Sequence, residues 1–377
     1  MRIQPILQAS LCSSVAHGAE TVLGVYIFSR HGDRTPKAYP PTELTDLGYA
    51  EVHQSGQYFR SRYIDSSASS QIVGIEPQTV QLTQISVQAP VDNVLMISAQ
   101  AFLQGLYPPV GREAASETLT NGTTVSAPLD GYQLIPIYTS DTGASSEDQA
   151  WLQGATGCAK AQTSSNAYFS SQEYAKVKER TDEFYQSLAP VINDTFSGDK
   201  LSYRNAYSIF DVLHVASIHN ATIPNSELLT DEVLFQAQTL ADEHEFNLAF
   251  NASDTIRGVS GATLAAQVVE SLNKTVTSNG QNKIGIQFGA YASFQSFFGL
   301  SRLTEVDDDF YGIPDYASSM SFELFTDGPA SSFPPAEELR VRFLFHNGTS
   351  SNESAPVVFP LFGQQDNVLS WTTFIDE

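Results

Sequence analysis

The sequence is poor in the residues that cross-link small folds and hold metal ions. Cysteine occurs twice in 377 residues, as Cys12 and Cys158. Two cysteines exclude a disulfide-rich framework and the four-cysteine sites of structural zinc. The HExxH pair of metalloproteases, the Gly-rich loop of nucleotide-binding proteins and the serine-centred nucleophile elbow are also missing. These absences argue against the commonest metal-dependent, nucleotide-dependent and serine-hydrolase classes.

Positive charge is also scarce. The chain carries 19 Lys and Arg against 42 Asp and Glu, a formal net charge of −23. So acidic a chain is repelled by phosphate backbones and anionic lipid surfaces, which argues against nucleic acid or an acidic membrane as partner. Against that background Arg30, Arg34 and Lys37 form a basic island. The island marks the segment on which the functional prediction depends.

Long apolar runs are absent as well, and no stretch of about 18 apolar residues is available to span a bilayer. Residues 1–19 contain Arg2, a modest apolar run and small residues near their end, which predicts a signal peptide. N-glycosylation sequons occur seven times. They begin at Asn121, Asn193, Asn220, Asn251, Asn273, Asn347 and Asn352. The leader and the sequons together predict a secreted, extracellular glycoprotein.

The basic island follows a strand-like segment. Residues 20–28 are rich in β-branched and aromatic side chains, which predicts a buried strand, and the glycine and proline beyond them predict an exit into a loop. That loop reads Ser29-Arg30-His31-Gly32-Asp33-Arg34-Thr35-Pro36. Its two guanidiniums can hold the oxygens of a phosphate group and leave a neutral His31 nitrogen facing the phosphorus as nucleophile. The alternative is a surface loop whose arginines pair with some of the many carboxylates.

The motif RHGxRxP after a strand resembles the signature of the histidine acid phosphatases, which include the fungal phytases. Further segments similar to that family occur between about residues 20 and 350, namely 44–48 with 59–63, 98–103 with 105–109, and 316–318 with 322–324 and 339–342. The resemblance implies a covalent phosphohistidine on His31, with Arg30 and Arg34 holding the phosphoryl group. It implies no metal and no organic cofactor, because arginines would offset the phosphate charge.

One phosphate ligand of the resembled family is missing here. The family has a third phosphate-binding arginine about ten residues before the Ser-Ala of its second helix. Counting back from Ser98 places Gln88 at that position and Val94 at the next basic one. An amide can donate one hydrogen bond to phosphate but supplies no charge, so Gln88 is predicted as a weaker substrate-binding residue.

The proton donor of the family is missing too. In the segment 283–300 the family has a His-Asp pair, whose Asp protonates the leaving alcohol. Here the pair aligns with Gln287 and Phe288, or with Gly289 and Ala290, and no His or Asp stands between residues 284 and 300. Loss of a general acid typically lowers the rate by about 10²–10⁴. Gln287 is predicted as a substrate-binding residue.

Replacement acids are available only outside that segment. Glu305, Asp307, Asp308 and Asp309 follow it, and Asp33 lies inside the motif. A run of charges more often marks a solvated loop than a site. Asp33, at the variable position of the motif, is interpreted as orienting its neighbours.

The resemblance and the order of elements predict an α/β fold. A mainly parallel central sheet would carry helices on both faces and a mostly helical cap, with the pocket at the carboxyl ends of the strands. Residues 20–110 and 260–377 are assigned to the core and residues 111–259 to the cap. Apolar spacing predicts helices over 45–63, 94–106, 172–188, 203–218 and 225–250. The cap histidines His214, His219 and His244 are interpreted as structural.

The cysteine content conflicts with the resemblance. Secreted relatives of this type generally carry several disulfides and a longer C-terminus with cysteine. The resemblance thus implies that this chain is short at its C-terminal end and that Cys158 has lost its partner. A buried free thiol is the alternative.

The sequence therefore predicts a secreted phosphomonoester hydrolase of the acid phosphatase type, acting through His31 on a small phosphorylated or anionic substrate. Two alternatives stay open. One is a phosphatase-fold protein that has lost hydrolysis and binds an anionic or sugar-like ligand. The other keeps His31 as the reacting group on a different substrate. The intact motif favours a reacting histidine, and the missing arginine and His-Asp pair favour the alternatives.

Overall fold

The computed structural model describes residues 20–139, 157–219, 226–330 and 332–377. Within these ranges seven strands form one sheet. Six of them follow the order β2-β5-β1-β6-β7-β8, and the seventh, β9, pairs with another part of β7 on the same side as β8. A separate two-stranded hairpin consists of β3 and β4. The strands are β1 (Thr21–Ser29), β2 (Ile85–Gln88), β3 (Ser116–Thr118), β4 (Thr124–Ser126), β5 (Ile284–Phe288), β6 (Ser319–Thr326), β7 (Leu339–His346), β8 (Val357–Phe359) and β9 (Val368–Ser370).

Helices fill most of the chain between the strands. They are α1 (Asp46–Tyr63), α2 (Leu95–Leu106), the single turn α3 (Pro128–Gly131), α4 (Ala159–Ala167), α5 (Gln172–Arg180), α6 (Asp182–Ser187), α7 (Ala189–Ile192), α8 (Ala206–His219), α9 (Asp231–Ala249), α10 (Val259–Thr277), α11 (Tyr291–Leu300) and α12 (Trp371–Asp376).

Strand β1 lies in the middle of the sheet, as its β-branched and aromatic composition predicts. It pairs in parallel with β5 and antiparallel with β6, and all of its residues after Thr21 are buried. The sheet is parallel across β2, β5 and β1 and antiparallel from β6 onward. Four of the seven strands (β1, β2, β5 and β7) therefore point the same way. Strands β6 and β7 follow each other along the chain and pair antiparallel, as consecutive strands of a sheet commonly do.

The predicted α/β class is confirmed, with helices on both faces of the sheet. On one face, α1 and α2 pack over side chains such as Ile27, Val87 and Ile286. On the other, α10 and α11 pack over Tyr26 and Phe28. The alternation of β1 side chains between the two faces follows from the period of two in a strand.

Helix α1 begins where the sequence places it. The Thr45 hydroxyl accepts a hydrogen bond from the Gly48 N–H at 3.1 Å, which caps the helix. Helix α2 likewise matches the prediction over 94–106 to within one residue. Both helices follow the strand ends that carry the predicted site residues.

Helices α5 to α9 and the segments between them form a third apolar cluster, which includes Tyr185, Tyr203 and Leu213. The prediction of one helix over 172–188 is wrong in detail, because α5 ends at Arg180 and α6 starts at Asp182. The buried Thr181 hydroxyl donates to the Val177 carbonyl at 2.8 Å, and this local bond competes with a regular helix. The boundaries 111 and 259 of the cap stay a prediction.

Several other predictions concern termini and surfaces. Residues 1–19, Cys12 and Asn220 lie outside the described residues. Cys158 is half-buried rather than fully buried and is in the free thiol form. None of the helices in the described ranges combines the length and the apolar character needed to cross a bilayer.

Candidate active site

The motif continues β1 beyond the edge of the sheet and is fixed by its backbone. The Arg30 N–H donates to the Ser318 carbonyl at 2.8 Å, and the His31 carbonyl accepts from the Ala317 N–H at 2.7 Å. The Gly32 N–H donates to the Ser98 hydroxyl of α2 at 3.3 Å. Three separate parts of the chain thus meet at residues 30–32. The surface-loop alternative is wrong, because the side chains of this segment are buried.

His31, the predicted nucleophile, is buried within the motif. Its side chain is 1% exposed, and its Nδ1 lies 2.7 Å from the Gly32 carbonyl oxygen. Because a carbonyl oxygen only accepts hydrogen bonds, Nδ1 carries a proton, and in the neutral imidazole the lone pair is then on Nε2. The hydrogen bond therefore selects the tautomer that a nucleophilic histidine needs.

Arg30 is held between aromatic rings. Its guanidinium carbon lies 4.8 Å from the ring centre of Tyr316 and 5.5 Å from that of Tyr291. One terminal nitrogen donates to the Pro314 carbonyl, while the buried Nε–H has no hydrogen-bond partner among the described residues. A buried donor without an acceptor is costly, and an anion bound beside His31 would satisfy it.

Arg34 has a protein carboxylate as its partner. It is fully buried, and it makes a two-pronged ion pair with Asp211 of α8, with N–O distances of 2.8 and 3.4 Å. The Tyr207 hydroxyl accepts a further hydrogen bond from Arg34 at 2.9 Å. The suggestion that motif arginines pair with carboxylates is thus correct for Arg34. A phosphate that binds Arg34 has to share it with Asp211.

Asp33 links the motif to two other elements. Its Oδ2 accepts from the Thr45 hydroxyl and lies 2.5 Å from Nε2 of His219, the last residue of α8. Its N–H donates to Glu51 of α1 at 2.8 Å. These contacts agree with an orienting role for Asp33, and they place His219 beside the motif, where sequence reasoning had left it isolated.

Side chains of α8 close the pocket over Arg30. A small cavity of about 20 Å³ remains, enough for roughly one water molecule. Its lining consists of Arg30, Tyr207, Phe210, Asp211, His214, Gln238, Ile313, Asp315 and Tyr316. This cavity is smaller than a phosphoryl group.

His214 is a residue of this pocket that the sequence interpretation missed. Its ring stacks on Phe210 at 5.3 Å and lies 5.8 Å from the Tyr316 ring. Burial lowers its pKa below 6.5, and the positive charge of Arg30 acts in the same direction, while Asp315 opposes both. In the sequence, His214 is related to Asp211 and Tyr207 by helical spacing, because these two residues lie three and seven positions earlier on α8.

Gln88 and Gln287 are brought together by the sheet. They are register partners on β2 and β5, and the Gln287 amide nitrogen donates to the Gln88 carbonyl oxygen. The Gln287 oxygen in turn accepts from the Tyr26 hydroxyl of β1. Both amides are thus engaged by neighbours in the sheet. Their role as phosphate ligands stays a prediction.

At the start of α11, Gly289 and Ala290 are followed by an aromatic residue. The Tyr291 ring lies beside Arg30 and 4.8 Å from the Tyr207 ring, and its hydroxyl donates to Glu245 at 2.7 Å. Aromatic surface therefore occupies the place where the resembled family has charged groups.

The acidic run after α11 lies away from the small cavity. Glu305 pairs with Arg302 at the surface, at 2.7 Å. Asp307, Asp308 and Asp309 line a larger cavity of about 930 Å³ between α9 and β7, which shares only Gln238 and Ile313 with the small one. No group of three or more His, Cys, Asp or Glu suited to a metal ion occurs in the described part of the chain.

Comparison with known proteins agrees with this geometry. The family model of the histidine phosphatase superfamily, branch 2, matches residues 38–346, a range that begins just after the motif. Lysosomal acid phosphatase of Xenopus laevis is 27% identical over 321 residues, which cover 80% of this chain and 66% of that protein. Prostatic acid phosphatase of Bos taurus is 24% identical over 346 residues, covering 87% of this chain and 81% of the relative. The chain thus spans slightly less than two thirds of the frog protein.

Two solved structures share the fold. The Hafnia alvei phytase in complex with tartrate has a TM-score of 0.61 at 12% identity, covering 94% of this chain and 96% of its own. The phytase from Citrobacter braakii gives 0.61 at 14% identity, with the same two coverages. With the family model matching most of its length, the chain belongs to branch 2 of the histidine phosphatase superfamily.

Proposed function

We propose that this protein is an acid phosphatase-type phosphomonoester hydrolase that reacts through a phosphohistidine on His31. The observation that carries the proposal is the buried His31, whose Nδ1 proton is held by the Gly32 carbonyl beside the unsatisfied Nε–H of Arg30. Family membership and the names of the relatives support phosphomonoester hydrolysis in general. The phosphohistidine route is inferred from the site.

In the proposed reaction, Nε2 of His31 attacks the phosphorus of a bound monoester. Arg30 and Arg34 hold the equatorial oxygens and stabilise their charge in a site from which water is excluded. The alcohol leaves, and water then hydrolyses the phosphoenzyme. Gln88 and Gln287 are proposed as uncharged substrate-binding residues at the carboxyl ends of β2 and β5.

Hydrolysis of p-nitrophenyl phosphate, phytate and a sugar phosphate between pH 3 and 7 tests the proposal. His31→Ala should abolish turnover of every ester that the unmodified protein hydrolyses, because it removes the attacking nitrogen. His53→Ala, on the outer part of α1, is the matched control and should retain activity. Activity that survives in His31→Ala would show that another residue reacts.

The alternative of a non-hydrolytic anion-binding protein is favoured by one observation, the pairing of Arg34 with Asp211 under a nearly closed pocket. It predicts no turnover of any of the three esters, together with a melting temperature that rises when inorganic phosphate is added.

We also propose that the protein is secreted and glycosylated. The relatives named lysosomal and prostatic acid phosphatase are consistent with a lumenal or secreted location. Of the sequon asparagines within the described ranges, Asn121, Asn193, Asn273, Asn347 and Asn352 are exposed and Asn251 is half-buried. Enzymatic removal of N-linked glycans should lower the mass of protein collected from the medium of a eukaryotic host, and an unchanged mass would contradict glycosylation.

A further inference from the structure

We propose that His214 donates the proton to the leaving alcohol, in place of the carboxyl group that α11 does not supply. This inference rests on the phosphatase reaction proposed above. It deepens that reaction by naming a residue from the cap helix α8 as its acid.

Helix α8 places His214 in the small cavity beside Arg30 of the motif. Tyr207, Asp211 and His214 are spaced four and three residues apart, so they share one face of the helix. Two of them, Tyr207 and Asp211, contact Arg34 of the motif directly. The third, His214, lines the small cavity together with Arg30.

One aromatic ring connects the two histidines. The Tyr316 ring centre lies 5.6 Å from the His31 ring and 5.8 Å from the His214 ring. The Arg30 guanidinium lies 4.8 Å from the same ring. The Tyr316 ring thus lies against both histidines, and His214 shares the small cavity with Arg30. In the proposed complex the alcohol leaves on the side of phosphorus opposite His31, and His214 donates its proton from that side.

Four other polar groups at or beside the cavity are less suited to donate this proton. Both Asp211 oxygens accept from Arg34, and one also accepts from the Lys37 N–H at 2.8 Å. The Tyr291 hydroxyl already donates to Glu245. Burial raises the pKa of Tyr207 and of Tyr316, which makes both phenols weaker acids.

The charges around His214 suit an acid that works at low pH. Burial and Arg30 lower its pKa, while Asp315, Asp211 and Asp33 raise it, and the net shift is downward. The imidazolium therefore forms in acidic solution and gives up its proton readily. The rings of Phe210 and Tyr316 lie against His214 and add no charge.

The proposed cycle returns both histidines to their starting protonation states. The bond between His31 Nε2 and phosphorus forms as the P–O bond to the alcohol breaks, and the alcohol oxygen takes a proton from the His214 imidazolium. Water then attacks phosphorus and passes a proton to the neutral His214, while the P–N bond breaks and its electron pair returns to His31. One ester and one water give one alcohol and one phosphate, and His214 is again protonated.

The experiment compares kcat/KM for p-nitrophenyl phosphate and for glycerol 2-phosphate in His214→Phe. This ratio reports steps up to phosphoenzyme formation, so a later role of His214 with water does not obscure it. Phenylalanine keeps the stack on Phe210. We expect kcat/KM for the alkyl ester to fall by about 10²–10⁴ and that for the aryl ester, whose leaving group needs no proton, to change less than about tenfold.

A pH profile separates an acid from a structural side chain. For the alkyl ester, kcat/KM of the unmodified protein should fall as pH rises through the lowered pKa of His214. Asp315→Asn should move this limb to lower pH, because it removes a negative charge that raises that pKa. An unmoved limb would contradict the assignment.

Two control variants complete the test. Gln238→Leu changes the lining of the same cavity but removes no titratable group. It should change kcat/KM for both esters by the same factor. Glu51→Gln removes the carboxyl group that contacts the Asp33 N–H from α1. An alkyl-selective loss in Glu51→Gln, or an equal loss on both esters in His214→Phe, would overturn this inference alone. Turnover of neither ester by the unmodified protein would instead overturn the proposed function.

Discussion

At the scale of single residues, two glycines fix the motif against α1. A Cβ added to Gly48 would lie 2.1 Å from the Asp33 carbonyl oxygen, and one added to Gly32 would lie 2.2 Å from the Gly48 carbonyl oxygen. Both obstacles are backbone atoms, so no side chain can rotate away. The close approach of the motif to α1, and with it the position of His31, therefore requires glycine at positions 32 and 48.

Gly48→Ala is expected to destabilise the protein by about 3 kcal/mol, at the upper end of the usual cost of overpacking, because the motif backbone has to shift. Chemical denaturation measures the change in the free energy of unfolding. Leu47→Ala, at a neighbouring position that is 42% exposed, is the control and should cost at most about 0.5 kcal/mol. Equal effects of the two substitutions would show that the motif does not need the close approach.

At the scale of elements, α8 is the helix that completes the site. Its Asp211 pairs with Arg34, its His219 contacts Asp33, and its His214 faces Arg30 across the small cavity. The ion pair is almost fully buried on both sides. Removing one partner from a buried ion pair is strongly destabilising, because the remaining buried charge loses that counter-charge.

Asp211→Ala is therefore expected to lower the free energy of unfolding by about 3–5 kcal/mol and to lower phosphatase activity, since Arg34 loses the group that orients it. Urea denaturation and the aryl phosphate assay measure the two effects. Glu270→Ala is the control. It breaks the exposed ion pair between Glu270 and Lys274 on α10 and should leave the midpoint of urea denaturation nearly unchanged. An Asp211→Ala protein as stable as the parent would contradict the structural importance of the α8 contact.

At the scale of the whole molecule, one buried carboxylate joins α1 to the antiparallel half of the sheet. Glu323 of β6 is fully buried and accepts from Arg62 at 2.7 Å, from Arg342 at 2.6 Å and from the Tyr63 hydroxyl at 2.7 Å. Burial raises its pKa, but the two arginines and the hydroxyl together hold the pKa below 4.5. These contacts give Glu323 a structural role.

A lowered folded-state pKa gives Glu323 a definite effect on acid stability. Its contribution is fully present above the ordinary pKa of about 4.5 and is lost as the pH falls through the lowered value. Glu323→Gln should lower the free energy of unfolding by about 3 kcal/mol at pH 7. The difference from the parent should shrink as pH drops below about 4.5, and urea denaturation at pH 7, 5 and 3 measures it. A difference independent of pH would show that the ion pairs do not carry the effect.

The sequence alone determined the local elements and the candidate reacting group. Strand β1 is specified by its own β-branched and aromatic residues and α1 by the Thr45 cap, while the predicted nucleophile His31 is marked by the motif RHGxRxP that follows β1. Each signal involves only a few neighbouring residues, so it can be recognised in the sequence without knowledge of the tertiary structure. The missing His and Asp of segment 284–300 are equally plain from the sequence.

The tertiary structure decided what surrounds that group. Asp211 meets Arg34 across 177 positions of the chain, and Gln88 meets Gln287 only because β2 and β5 pair in register. The sequence left His214 as an isolated histidine because its neighbours in the pocket from outside α8 come from the motif after β1, from α9 and from the segment before β6. Contacts of this kind depend on how elements pack, and packing is set by the whole apolar pattern of the chain rather than by any one segment.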